Sequence, residues 1–114
     1  MDLYTIWFDL RDTSRDVDFT RKLGAFLDDL KRRGAVEGWR LTRRKLGFGP
    51  HELGEFMLLV ECRDLAQLER AFGAVAPRQP PVENLHAAVW AHVENFRSGL
   101  FRDFPDAVRT ERES

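Results

Sequence analysis

The chain has 114 residues, 43% of them hydrophobic and 32% charged, with a formal net charge of −1. That length suits one domain with a core of its own, and the near-neutral charge argues against a dedicated nucleic-acid binder, whose domain charge is usually strongly positive. A single cysteine, Cys62, excludes an intrachain disulfide, and no run approaches the roughly 20 apolar residues of a membrane span. The start, Met1-Asp2-Leu3-Tyr4, lacks the basic residues and long apolar run of a signal peptide. A cytoplasmic protein is expected.

Residues 2 to 10 alternate as a strand, with Tyr4, Ile6, Phe8 and Leu10 on one face and Leu3, Thr5, Trp7 and Asp9 on the other. Thr13 with Asp16 three residues later suits a capping box. A helix over 15–33 follows, its stripe made by Phe19, Leu23, Phe26, Leu27 and Leu30. Gly34 after Lys31-Arg32-Arg33 is a helix stop with cations at the negative end of the dipole. A second strand runs from about Val36 to Leu46, and a third from Glu55 to Arg63. Phe56, Leu58, Val60 and Cys62 make one apolar face of the third strand, and Glu55, Met57, Leu59 and Glu61 a mixed one. Residues 64–76 read as a helix capped by Asp64 that buries Leu65, Leu68, Ala71, Phe72 and Val75. The Pro-rich stretch at 77–81 breaks the chain. Helical spacing returns through Leu85, Ala88, Val89 and His92. A last strand is expected from about Asn95 to Arg102, and residues 105–114 read as a charged, frayed tail after a single domain over 1–104.

The glycines of "RRKLGFGPHELGEFMLLVEC" (43–62) resemble a phosphate loop at first sight. A phosphate loop leads into a helix, so that helix N-terminal amides face the anion. Here Gly54 leads into the strand-like Glu55–Val60, and the Gly-Lys-Ser/Thr ending is missing. The stretch therefore reads as a long hairpin connection, in which His51 and Phe48 are the only candidates for a role.

The order strand, helix, strand, strand, helix, extra helix, strand is an α+β, ferredoxin-like βαββαβ plan with a four-stranded antiparallel sheet and its helices on one face. The other face of such a sheet is normally polar. Here Leu3, Trp7, Met57 and Leu59 lie on it, and Trp39 and Leu41 add to it if the second strand is so turned. Left open, that surface exceeds what a soluble monomer tolerates. A second copy packed face to face, giving a homodimer through the open sheet face, is the simplest cover.

With "GWRLTRRKLG" (38–47) at the second strand and "LFRDFPDA" (100–107) at the end, the chain resembles the dimeric α/β-barrel superfamily. It is similar to stress-responsive barrel proteins and small antibiotic-biosynthesis-type monooxygenases. The resemblance is strongest to an uncharacterised group of dimeric ferredoxin-like proteins. It implies the fold and the dimer. Because such proteins include enzymes, haem binders and members without assigned activity, it implies no single reaction.

Two functional classes are expected from these residues. The first is a ligand-binding or scaffold protein that holds a small apolar or aromatic molecule, with Thr5, Trp7, Met57, Leu59 and Glu61 facing the intersheet layer and Arg43 or Glu61 as the orienting group. The bland alternative is that Trp7, Met57 and Leu59 only fill the interface. The second class is a cofactor-independent monooxygenase-like enzyme using the same cavity, with catalytic residues that the sequence does not identify. No metal or other cofactor is expected. His86 and His92 are six apart and lie on different helix faces, no HExxH occurs, and Trp90 is placed to stack on His86. Cys62 reads as a small core residue. An RNA-binding reading lacks the third-strand aromatics that stack bases.

Overall fold

The computed structural model describes residues 1–75 and 82–106. In chain order these form β1 (Asp2–Leu10), one 3-10 turn (Thr13–Arg15), α1 (Asp16–Arg32), β2 (Gly38–Arg43), β3 (Phe56–Cys62), α2 (Leu65–Val75), α3 (Val82–Trp90) and β4 (Val93–Arg102). The strands make one sheet in the order β2-β3-β1-β4, with every neighbouring pair antiparallel. This is the expected ferredoxin-like plan with an extra helix before the last strand. The Pro-rich break at 77–81 and the tail from 107 onward lie outside the described residues.

The five-residue stripe of α1 is buried as its spacing predicts. Its cap differs. The expected Thr13 capping box does not form: Asp12 caps the 3-10 turn that precedes the helix, and Arg15, the N-cap residue of α1, makes no side-chain capping bond. Asp12 Oδ1 accepts from the Ser14 amide at 3.0 Å and the Ser14 hydroxyl at 2.7 Å. At the other end Gly34 has φ +72°. The Ala35 amide donates to the Leu30 carbonyl at 2.9 Å and the Gly34 amide to the Lys31 carbonyl at 3.0 Å, a Schellman closure.

In β1 and β3 the alternation places Ile6, Phe8, Leu10, Phe56, Leu58, Val60 and Cys62 in the core beneath the helices. The pairing register settles β2. Trp39 lies opposite Val60 and Leu41 opposite Leu58, so both pack on the helix side rather than adding to the open face. The Trp39 indole donates to Asp28 of α1 at 2.9 Å.

The α2 helix begins as expected, with Asp64 accepting from the Gln67 amide at 2.8 Å. Gln67 is wholly buried. Its side-chain oxygen accepts from the Arg63 amide at 2.6 Å, and its amide donates to the Gly34 carbonyl at 3.0 Å, which ties the start of α2 to the end of α1. Leu68 and Ala71 are buried, but Leu65 and Phe72 remain 50% and 51% exposed, contrary to the expected burial of both. The reason is that α2 stands off the sheet, with Phe72 edge-on to Tyr4 at 5.3 Å, leaving a gap beneath it.

The last strand starts two residues before the expected Asn95 and shifts register between Trp7 and Asp9. Asn95 takes φ +57° there. Asp9 holds the irregularity by accepting from the Asn95 side chain at 2.9 Å and the Glu55 amide at 2.8 Å. The β2–β3 connection is tied down by Arg44, which donates to the Pro50 carbonyl at 2.8 Å and the Leu53 carbonyl at 2.7 Å. Gly54 passes so close to β1 that a Cβ there would run into the Phe8 backbone. Gly47 supplies a φ of +71°. These glycines shape a turn between strands.

Candidate functional site

The sheet has two apolar faces of different character. On the open face β1 and β3 pair Leu3 with Glu61, Thr5 with Leu59 and Trp7 with Met57. On the far side of β1, Leu3 pairs with Phe101, Thr5 with Gly99 and Trp7 with Arg97. A Trp7–Phe101 edge contact at 6.3 Å completes an apolar centre. Arg40, paired with Leu59, stands at its β2 edge. Among the described residues Arg40, Glu61 and Arg97 make no ion pair within the chain. Five of the six residues assigned to the site from sequence thus share this face: Thr5, Trp7, Met57, Leu59 and Glu61.

Arg43 is the exception. It pairs with Phe56, on the helix side of the sheet. Its guanidinium lies 4.9 Å over the Phe56 ring and bonds Asp16 at 3.0 Å and Glu55 at 3.5 Å. These bonds hold its guanidinium at the Asp16 and Glu55 carboxylates. A depression of about 190 Å³ beneath the β2–β3 loop includes Trp7, Met57 and the edge of Arg43, while Thr5, Leu59 and Glu61 lie outside it.

A half-open pocket lies on the other side of the sheet. A cavity of about 250 Å³ lies between the sheet and the helices. Its floor is Tyr4, Ile6, Leu58 and Val60, and α1 contributes Leu23, Phe26 and Leu27. Phe72 and Phe96, both about half-exposed, mark its mouth. Its remaining polar character comes from His86 and Trp90 on α3 and the Tyr4 hydroxyl. The His86 ring packs on Phe26 at 5.5 Å and on Trp90 at 5.6 Å, and Trp90 meets Phe96 at 5.2 Å. His86 and Trp90 are in contact as expected, but edge-to-face rather than stacked. Trp90 and Phe96 were not candidates from sequence. Phe96 alternates onto the helix side with Ser98 and Leu100, which pair with Ile6 and Tyr4.

Other chemistry-bearing residues lie apart from both faces. His92, 14% exposed, sits 3.8 Å from Asp18 and takes the Lys22 ammonium at 3.1 Å. Since that ammonium only donates, His92 Nε2 accepts. Cys62 is buried, and burial raises its thiol pKa, which suits a core residue. Asp2 is buried and pairs with Arg102 at 2.5 and 3.2 Å. Among the described residues no group of three His, Cys, Asp or Glu side chains is placed to hold a metal ion, and no helix is long and apolar enough to cross a membrane.

These features define a class: a ferredoxin-like α+β domain with one face roofed by helices over a cavity and one face bare. The chain belongs to the family described as "Family of unknown function (DUF6614)", whose model matches residues 1–114. Among solved structures it is similar to a dimeric ferredoxin-like protein of unknown function from Jannaschia sp. CCS1, with 15% identity over 90% of this chain and 100% of that chain and a TM-score of 0.65. A dimeric protein of unknown function and ferredoxin-like fold from Bacteroides fragilis NCTC 9343 shares 13% identity over 90% of this chain and 95% of that chain, at a TM-score of 0.60. An antibiotic biosynthesis monooxygenase shares 12% identity over 92% of this chain and 100% of that chain, also at 0.60. At these identities the likeness shows the fold. No match was found among curated proteins.

Proposed function

We propose that this chain is a homodimeric ligand-binding protein that holds a small apolar or aromatic molecule between helices and sheet. The observation that carries the binding reading is the cavity of about 250 Å³ walled by aliphatic and aromatic side chains. Ligand sites commonly combine such walls with a few polar groups. The open face, with Thr5, Trp7, Met57, Leu59 and Glu61, serves assembly. An apolar centre with charged residues at its edge is the anatomy of an interface between proteins. Two structural relatives are described as dimeric, which supports this assembly.

A titration of the protein against a panel of quinones and flavonoids, read by tryptophan fluorescence and thermal shift, tests the binding reading. A saturable response that weakens in Ala71→Leu, which narrows the cavity, is expected. The absence of any saturable response across the panel would remove it.

A second reading is a cofactor-independent monooxygenase-like enzyme in the same cavity. The observation favouring it is His86, a titratable ring on an otherwise apolar wall, positioned as a general base is in such sites. It would take a proton from an acidic ring methylene, whose carbanion reduces dioxygen to leave a ring carbonyl and water. Oxygen uptake with an anthrone-type substrate, lost in His86→Ala, is the expected sign. No uptake above the spontaneous rate excludes it.

A further inference from the structure

We infer that the outer edge of β4 is a second self-association surface, on which the β4 of another copy pairs antiparallel with Ser98 opposite Ser98. This goes beyond the open-face assembly and uses a different part of the sheet. β4 pairs with β1 along one side, and among the described residues no strand lies on the other. Such an edge carries unpaired backbone donors and acceptors, and folded proteins usually guard it with lysine, proline, a bulge or shortness. β4 runs for 10 residues and holds neither lysine nor proline. Its register shift falls between the partners of Trp7 and Asp9, so residues 97–102 stay regular.

The side chains along this edge indicate what covers it. Leu100 and Phe96 are about half-exposed. Both lie on the helix side, where Ser98 and Leu100 pair with Ile6 and Tyr4, so a copy packed on the open face does not reach them. Leu100 does not line the cavity either, so a ligand there leaves it bare. A strand laid along β4 covers it. Directly opposite residues of an antiparallel pair share a face, and a two-fold axis makes such a pairing self-complementary. With the axis at Ser98, Phe96 of each copy meets Leu100 of the other, an aromatic–aliphatic cross-strand pair. Arg97 then meets Gly99, and Arg102 comes level with Glu94, so no cation opposes a cation. Moving the axis to Arg97 sets two guanidiniums against each other, and moving it to Gly99 sets Phe96 against Arg102.

Disulfide trapping on the full chain reads the register. Opposed residues of an antiparallel pair stand about 4.5–5.5 Å apart at Cα, inside the span of a disulfide, about 4.4–6.8 Å. One strand on one strand is a small interface of the weak class, below about 1,200 Å², so it fills at high micromolar concentration. There, under mild oxidation, Ser98→Cys is expected to form a disulfide-linked pair of chains. Leu100→Cys is not, because Leu100 faces Phe96 and its own copy lies four residues further along, about 14 Å away. Both positions are exposed, and the native Cys62 is buried and does not compete. Equal crosslinking of both variants, or none in Ser98→Cys, overturns the inference and leaves the open-face dimer standing. Sedimentation of the unmutated chain from low to high micromolar concentration is the second measurement. A shift from two toward four times 13.3 kDa is expected, and Leu100→Glu should hold the protein at two chains. Two chains throughout, in the unmutated protein and Leu100→Glu alike, overturns the edge pairing. Two chains in the unmutated protein and one in Leu100→Glu supports the edge pairing and removes the open-face dimer instead.

Discussion

Trp7 and Phe101 meet edge to face over Gly99, 6.3 Å between ring centroids, on the side of the sheet that carries no helix. Phe101 is 54% exposed. A Cβ at position 99 would lie 3.1 Å from the Phe101 ring and 3.6 Å from that of Trp7, so the glycine makes room for the pair. Leu59 and Met57 extend the same patch across β3. In the proposed dimer this aromatic pair sits where interface anchors concentrate binding energy. Trp7→Ala is expected to weaken self-association by about 2–4 kcal/mol, roughly thirty- to a thousandfold in dissociation constant, with little change in far-UV circular dichroism. An unchanged dissociation constant would place the interface elsewhere.

The stand-off of α2 makes a second prediction. Ala71 is buried on the cavity wall, so a larger aliphatic side chain there has space to enter. Ala71→Leu is expected to raise stability by about 0.5–2 kcal/mol, as cavity-filling changes do, while weakening ligand binding. Stability gained with binding undiminished would show that the ligand lies outside this cavity. Both effects can be read from one set of melting curves with and without ligand.

Gln67 joins two helix ends through both ends of its amide. Replacing it by Ala leaves the Arg63 amide and Gly34 carbonyl without their partner in a buried setting. A loss of about 1–3 kcal/mol is expected in urea unfolding. A loss below about 0.5 kcal/mol, the lower bound for a typical hydrogen bond, would show that water replaces the link freely.

Gly54 is a prediction about the loop. Gly54→Ala drives a methyl into the Phe8 backbone, and the strand is expected to shift at a cost of about 1–3 kcal/mol, the usual range for overpacking. Gly47→Ala, where a Cβ meets nothing but φ is +71°, is expected to cost less, about 1 kcal/mol. The reverse order would contradict the close-approach account.

Acid stability follows from the carboxylates. Hydrogen bonds from Arg15 and Lys22 hold Asp18 down to about 2, from an ordinary 3.8. The Glu55 amide and the Asn95 side chain lower Asp9, and Arg102 lowers Asp2. Each group binds its proton more weakly when folded than when unfolded, so acid favours the unfolded chain. Their stabilisation is complete above about pH 5, where the unfolded carboxyls are almost fully ionised, and is lost as the pH falls toward 2. Melting temperatures measured from about pH 6 to 2 should decline below about pH 5, less steeply in Asp18→Asn. A flat profile in the native chain would contradict these pairings.

Much of this arrangement is legible in the chain itself. β1 and β3 alternate over four turns of the pleat, so their two faces separate cleanly, and Leu3, Thr5, Trp7, Met57, Leu59 and Glu61 come out on one of them. The face of β2 is not so legible. Trp39 and Leu41 alternate with Arg40 and Thr42, and only the register against Val60 and Leu58 decides which set meets the helices. Arg43 follows the same register to the helix side. The cavity is hidden for a related reason. Phe72 carries the periodicity of a buried residue, yet the distance of α2 from the sheet is set by the whole packing and leaves it half-exposed. Phe96 alternates with Ser98 and Leu100 onto the helix side of β4, but its contact with Trp90 depends on where α3 lies over the sheet.

The central claim is that the bare side of this sheet is closed by a second copy of the same chain. Sedimentation equilibrium of the full chain at low micromolar concentration and physiological salt tests it most directly. The account predicts a particle of twice the 13.3 kDa chain mass. A stable, soluble species of 13.3 kDa across that concentration range would contradict it.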